Sequence, residues 1–213
     1  MAAQKDPRAN QKERTRAAIV EAASRMLQSG VQPTVAEAAE AAKVSRATAY
    51  RYFPTPEALH LEVAGVTPTY TPVEDLVKSL TGDDVGARVD RFVESINGIT
   101  FADEARMRMA LKVYQETWFA NRGERGTTPP LREGRRMRWL EGVLKPAQRT
   151  LPKKEWRRLQ AALALTVGAD SMVIMKDVCR LDDGEAKDVL RWAAQVLLQA
   201  ALKQTSGPKS RRG

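Results

Sequence analysis

Two arginines, a threonine and a tyrosine stand close together in the run Ser45-Arg46-Ala47-Thr48-Ala49-Tyr50-Arg51-Tyr52-Phe53. Read as a helix, the run places Ala49 and Phe53 four apart on one inward face. Arg46, Ala47, Thr48, Tyr50 and Arg51 are then left facing outward. That face suits a DNA major groove. An arginine can bond two acceptors on a guanine edge, a threonine methyl can meet a thymine methyl, and a tyrosine can reach phosphate. Ala47 is small enough to let the backbone come close. A solvated surface helix could carry the same residue types, so the face alone leaves both readings open.

Little else in the 213 residues offers chemistry. There is one histidine, His60, with no Cys, Asp or second His near it in sequence, whereas structural zinc takes about four ligands. No metal and no cofactor are therefore expected. There is no pair of Glu-x-x-His motifs of the kind that builds metal sites in helical bundles. No GxGxxG, phosphate-cradling loop or nucleophile elbow is present. A helical-bundle enzyme is thus the alternative that the residue inventory disfavours. The single cysteine, Cys179, cannot close an internal disulfide, which fits a reducing compartment. Charges at Lys5, Asp6 and Arg8 argue against a signal peptide, and no run approaches the ~20 apolar residues of a membrane span. A cytoplasmic protein with no membrane partner is expected. The net charge of +9 favours a polyanionic partner without identifying it.

The elements that would position the outward face are legible around it. Thr34 reads as the N-cap of a short helix to about Ala42, with Val35, Ala38, Ala39 and Ala42 as its apolar stripe. Lys43-Val44 breaks that stripe. Ser45 opens the second helix, and Pro54 stops it because the residue before a proline is pushed out of the helical region. Before this pair, Gln11 to Gln28 forms a helix with Ile19, Ala22, Ala23, Met26 and Leu27 inward, ended near Gly30. After it, Pro56 to Ala64 forms another, with Leu59 and Val63 inward. The stretch Gly65 to Pro72, with two prolines, reads as a linker.

The run Val44-Ser45-Arg46-Ala47-Thr48-Ala49-Tyr50-Arg51-Tyr52-Phe53, followed by Glu57-Ala58-Leu59, resembles the tetracycline-repressor (TetR) family of transcription regulators over roughly residues 12 to 64. Two positions depart from the family pattern. Lys43 stands where a turn glycine is usual, and Pro56 stands where a phosphate-contacting lysine is usual. The resemblance implies a helix-turn-helix DNA-binding domain over 11–64, with Thr34, Ser45, Arg46, Ala47, Thr48, Tyr50 and Arg51 as its DNA-binding residues. It implies a helical effector-binding and dimerisation domain over 65–204, while the polar composition of 1–10 and 205–213 reads as flexible tails. The fold class is all-α. The partners implied are double-stranded DNA carrying an inverted repeat, a second copy of the chain, and a small-molecule effector that releases a repressor.

The rest of the chain reads as helical: Val73–Leu80, Gly86 to Thr100, Asp103 to Asn121, Pro130 to Leu144, Pro152 to Leu181 as the longest element, and Asp182 or Asp183 to Gln204. Gly123 to Pro130 reads as a loop. Phe101, Met107, Leu111, Tyr114, Trp118, Met137 and Trp139 are candidate ligand-binding residues, although bulky side chains at helical spacing are more often plain core. The last two helices combine small residues with Leu163, Val167, Gly168, Val189, Trp192 and Val196, a candidate dimer interface. The alternative is that both helices simply cap the core of a single chain. A DNA-binding dimer without an effector also remains open. Between Arg132 and Arg158 ten bases face three acids, which suits an anionic partner or simply a solvated surface.

Overall fold

The computed structural model describes residues 7–65, 70–82, 84–120 and 134–206, and every described element is helical. In chain order these are α1 (Pro7–Gln28), α2 (Val35–Ala41), α3 (Arg46–Tyr52), α4 (Pro56–Gly65), α5 (Thr71–Ser79) and α6 (Val85–Ala102). There follow α7 (Glu104–Ala120), α8 (Arg135–Val143), α9 (Lys153–Leu163), α10 (Ala169–Val173) and α11 (Asp183–Ser206). Residues 1–6 and 207–213 of the expected tails, residues 66–69 of the expected linker, the loop 123–130, Leu131 and Arg132 lie outside the described residues. Residues 7–10, read as tail, open α1 instead, with Pro7 at the first position, where a missing N–H costs nothing.

The chain separates into two compact units, one drawn from 1–66 with 103–126 and the other from 67–102 with 127–213. The expected second domain, 65–204, includes the whole of α7. In the structure α7 packs against α1 and α4 in the first unit. The reason is apolar complementarity: Met109 and Val113 of α7 join Ile19, Ala23, Leu27, Val35, Ala38, Ala39, Ala49, Phe53, Leu59 and Val63 in one core. Arg16 on α1 meets Glu62 on α4 at 2.6 Å and closes the edge of that core. It also lies 5.8 Å from the centre of the Phe53 ring. This arginine is therefore used internally.

The second unit is organised around Val73, Phe92, Val93, Ile96, Trp139, Leu140, Leu163, Val167, Ala194 and Leu198. Among the polar side chains buried inside it, Arg88 and Asn97 make the longest-range bonds. Arg88 donates from Nε to the Val143 carbonyl at 2.9 Å, from Nη1 to the Leu80 and Gly82 carbonyls, and from Nη2 to the Gly142 carbonyl at 2.8 Å. These carbonyls sit at or just past the C-terminal ends of α5 and α8, where helices leave acceptors unpaired and carry partial negative charge. One cation thus closes two helix ends. Asn97 does the equivalent at a helix break, donating to the Thr166 carbonyl at 3.1 Å and accepting from the Gly168 amide at 3.2 Å.

That break corrects the expectation of one long helix from Pro152 to Leu181. The segment is α9, a 3-10 turn at Ala164–Thr166, an extended Val167, α10, and a π turn at Ile174–Val178. Gly168 adopts φ +92, a conformation that side-chain-bearing residues rarely take. A Cβ there would meet the guanidinium of Arg136, which is itself held by the Ala164 carbonyl and by Asp170. Gly168 therefore serves a backbone reversal and a tight approach, and not helix-on-helix contact.

Replacing Arg88 with Leu should cost about 3 kcal/mol or more, because several buried carbonyls lose their donor together. The loss would be measured by urea unfolding of the full chain. A change below about 1 kcal/mol would show that the carbonyls find other partners.

Candidate nucleic-acid interface

The helix-turn-helix is set by three local devices. The first is a capping box at the start of α2. The Thr34 hydroxyl accepts from the Glu37 amide at 3.2 Å, while Glu37 Oε2 accepts from the Thr34 amide at 3.0 Å and from its hydroxyl at 2.6 Å. These bonds, the side-chain one first, hold the Glu37 carboxyl below its ordinary range. The second device is the α3 cap. Ser45 Oγ accepts from the Thr48 amide at 3.2 Å and donates to the Thr48 hydroxyl at 2.9 Å. With that hydroxyl engaged, the methyl is the part of Thr48 left for an apolar contact.

The third device is the turn between them. The Val44 amide reaches the Ala39 carbonyl at 2.9 Å and the Lys43 amide reaches the Glu40 carbonyl at 3.0 Å. This crossed pair is the Schellman arrangement, with Val44 packed on the core as its apolar contact. The same pair of bonds ends α1, from Gly30 to Leu27 and from Val31 to Met26. At α1 the left-handed position is Gly30, at φ +83, whereas at α2 it is Lys43, at φ +56. The turn keeps its shape without glycine and carries the strain of a side chain in the left-handed region.

The outward face of α3 is as the spacing indicates. Ala49 and Phe53 are 0% and 2% exposed and belong to the core of the first unit. Arg46, Ala47, Tyr50 and Arg51 are exposed, and Thr48 is half-buried. Neither Arg46 nor Arg51 has an ion-pair partner among the described residues, so both guanidinium groups keep their donors for something outside the chain. Thr34 and Ser45 are exposed as well, but their hydroxyls already serve the two caps. Sequence reasoning did not single out Glu37, whose carboxylate occupies the Thr34 donors. The Thr-x-x-Glu spacing was the signal for it.

The other predicted site residues are dispersed. Met107, Leu111, Tyr114 and Trp118 lie on α7 in the first unit, while Phe101, Met137 and Trp139 lie in the second. Trp139 is core: its ring centre stands 5.4 Å from that of Tyr70 and 6.5 Å from that of Phe92. Of the dimer candidates, Leu163, Val167 and Gly168 are buried within the second unit, Leu163 on the inner face of α9 and the other two at the break that follows it. Val189, Trp192 and Val196 are exposed along one stripe of α11. The break brings out Leu165, Ile174 and Val178 instead, on segments packed against α11. Among the described residues no group of three or more His, Cys, Asp or Glu is placed to hold a metal ion, and no helix is long and apolar enough to cross a membrane.

Replacing Lys43 with Gly should raise stability by about 0.5–1 kcal/mol, the left-handed cost of a side chain less the added entropy of glycine in the unfolded chain. A urea midpoint that moves down would mean that the lysine side chain stabilises the turn in a way its geometry does not reveal.

Residues 19–63 match the family model described as "Bacterial regulatory proteins, tetR family". No curated protein matches the chain. Among solved structures, a Clostridium perfringens protein named for the regulation of fatty acid metabolism superposes with a TM-score of 0.55, covering 84% of this chain and 97% of that one at 15% identity. At that identity the likeness speaks to the fold. With the recognition motif and its capped geometry, the family match identifies residues 19–63 as the helix-turn-helix of the bacterial TetR-family regulators, and the all-helical fold agrees with it.

Proposed function

We propose that the chain is a cytoplasmic, homodimeric repressor that reads an inverted repeat in double-stranded DNA and is released by a small-molecule effector. The observation that carries the DNA-reading part is the pair of unpaired guanidinium groups, Arg46 and Arg51, on a helix whose inner face is locked by Ala49 and Phe53. Arg46, Thr48, Tyr50 and Arg51 meet base edges and phosphates. Ser45 and Ala47 allow the helix to lie close, and Thr34 stands near a phosphate at the start of α2.

The dimer reading rests on exposed apolar surface in the second unit. Leu165, Val178 and Trp192 are 76%, 73% and 67% exposed, and Ile174, Val189 and Val196 are exposed beside them. Apolar groups gathered in this way mark an interaction surface. A two-fold partner would cover them and set two copies of α3 at half-sites about one helical turn apart. The interface residues are then Val189, Trp192 and Val196, joined by Leu165, Ile174 and Val178 in place of the buried Leu163, Val167 and Gly168.

The effector reading rests on α7. It carries four of the seven candidate ligand residues and packs on α4 within the recognition unit. A ligand bound there acts on the unit that carries α3, and it shifts DNA affinity only by its difference in affinity for the two states. Phe101, Met137 and Trp139 would contribute only where the second unit takes part.

Selection from a random duplex pool at near-physiological salt should recover an inverted repeat. Recovery of no sequence, with binding that simply fades as salt rises, would leave only charge at work. On the selected operator, Arg46→Ala should cost roughly 1–3 kcal/mol, and unchanged affinity would remove it from the base contacts. Trp192→Arg should leave the fold intact, since the side chain is mostly exposed, yet sediment as a monomer and lose tight operator binding. A variant that still sediments as a dimer would place the interface elsewhere.

A further inference from the structure

His60 is the only histidine in the chain, and it is buried on α4 at 3% exposure in the core of the recognition unit. Its Nε2 stands 2.9 Å from the Pro33 carbonyl oxygen. A carbonyl only accepts, so the ring proton belongs on Nε2. The neutral ring then leaves Nδ1 bare, and Nδ1 is buried with no hydrogen-bond partner. An orphaned buried nitrogen is uncommon and calls for a reason. An apolar side chain beside Leu59 and Val63 would pack without that orphan. It would instead leave the Pro33 carbonyl, on a buried residue, without its donor. What the imidazole supplies beyond packing is therefore the bond to Pro33.

The position of Pro33 gives that bond a consequence. It immediately precedes Thr34, the N-cap of α2, in the connection that follows α1. The α1 end of this connection is fixed by the amides of Gly30 and Val31, and the α2 end by Glu37. Those bonds are local. The His60 bond spans 27 residues and ties the connection to α4. Downstream, α2 and α3 are packed on each other and joined by the Lys43 turn, and α2 also packs on α1.

We infer that His60 is a positioning residue for sequence-specific DNA binding, fixing the helix-turn-helix against α4 through the Pro33 carbonyl. This rests on the DNA-reading part of the proposal above. Base-edge hydrogen bonds require donors within a few tenths of an ångström. Phosphate contacts by long flexible side chains tolerate a shifted helix and carry no sequence information. Loss of the tie should therefore weaken operator binding while sparing binding to arbitrary DNA, which a general loss of folded protein would not do.

The test uses the full chain, its selected operator and a scrambled duplex of equal length. His60→Leu keeps the bulk and removes the donor. His60→Asn keeps polarity but is too short to reach Pro33. His60→Gln places an amide donor near the position of Nε2. Operator affinity should fall about tenfold in His60→Leu and His60→Asn, the order of one lost base contact. Affinity for the scrambled duplex should stay within about twofold, and His60→Gln should recover most of the operator loss. Operator affinity that is unchanged in both disrupted variants overturns the inference. So does a loss equal on both duplexes and matched by the fall in folded fraction, which would make His60 plain core. An unaltered chain that does not distinguish the duplexes overturns the DNA-reading proposal and this inference with it. Discrimination kept by the unaltered chain and by His60→Leu alike overturns this inference alone.

Discussion

The recognition surface depends on the burial of two side chains, Ala49 and Phe53. A seven-residue helix cannot hold itself together in water, since isolated helices of that length do not repay the cost of nucleation. Helix α3 exists because those two residues enter a core supplied by α1, α2, α4 and α7. Burying the Phe53 ring contributes on the order of 2–3 kcal/mol, and Ala49 adds little area but permits close approach. With the inner face so narrow, most of the helix surface is released outward, where Arg46, Thr48, Tyr50 and Arg51 stand.

The rest of the first unit reads as support for that arrangement. Helix α2 is begun by the Thr34–Glu37 box and ended by the Lys43 turn, so both of its ends are satisfied within a few residues. Helix α1 brings Arg16 to Glu62 and passes over Phe53, joining charge and aromatic contact at one edge. Helix α7 comes from far along the chain to complete the core. The core under α3 is thus closed by a helix from beyond residue 102.

The second unit solves a different problem. Its helices end inside the protein, where carbonyls cannot reach water. Arg88 satisfies the ends of α5 and α8, and Asn97 satisfies both sides of the break between α9 and α10. Each is a polar residue among apolar neighbours, and each permits a change of chain direction that apolar packing alone would forbid. The break has a further effect: it leaves Val167 inward and Leu165 outward, giving α11 exposed apolar neighbours.

By itself, the sequence determined the fold class and the recognition helix. Capping residues, the four-residue spacing of Ala49 and Phe53, and the stop at Pro54 are local signals, read over a turn or two of helix. It also marked Lys43-Val44 as the point where the stripe of α2 breaks, while the left-handed backbone of Lys43 and the bonds that close the turn came from the structure. Only the tertiary structure decided what Arg88, Asn97, Gly168 and His60 do, because their partners lie from 6 to 71 residues away. It likewise decided which unit takes α7 and which apolar residues reach the surface after the break. Periodicity says that a residue belongs to a face, but which face meets a core depends on distant segments, and one polar side chain paired across that distance can redirect a whole helix.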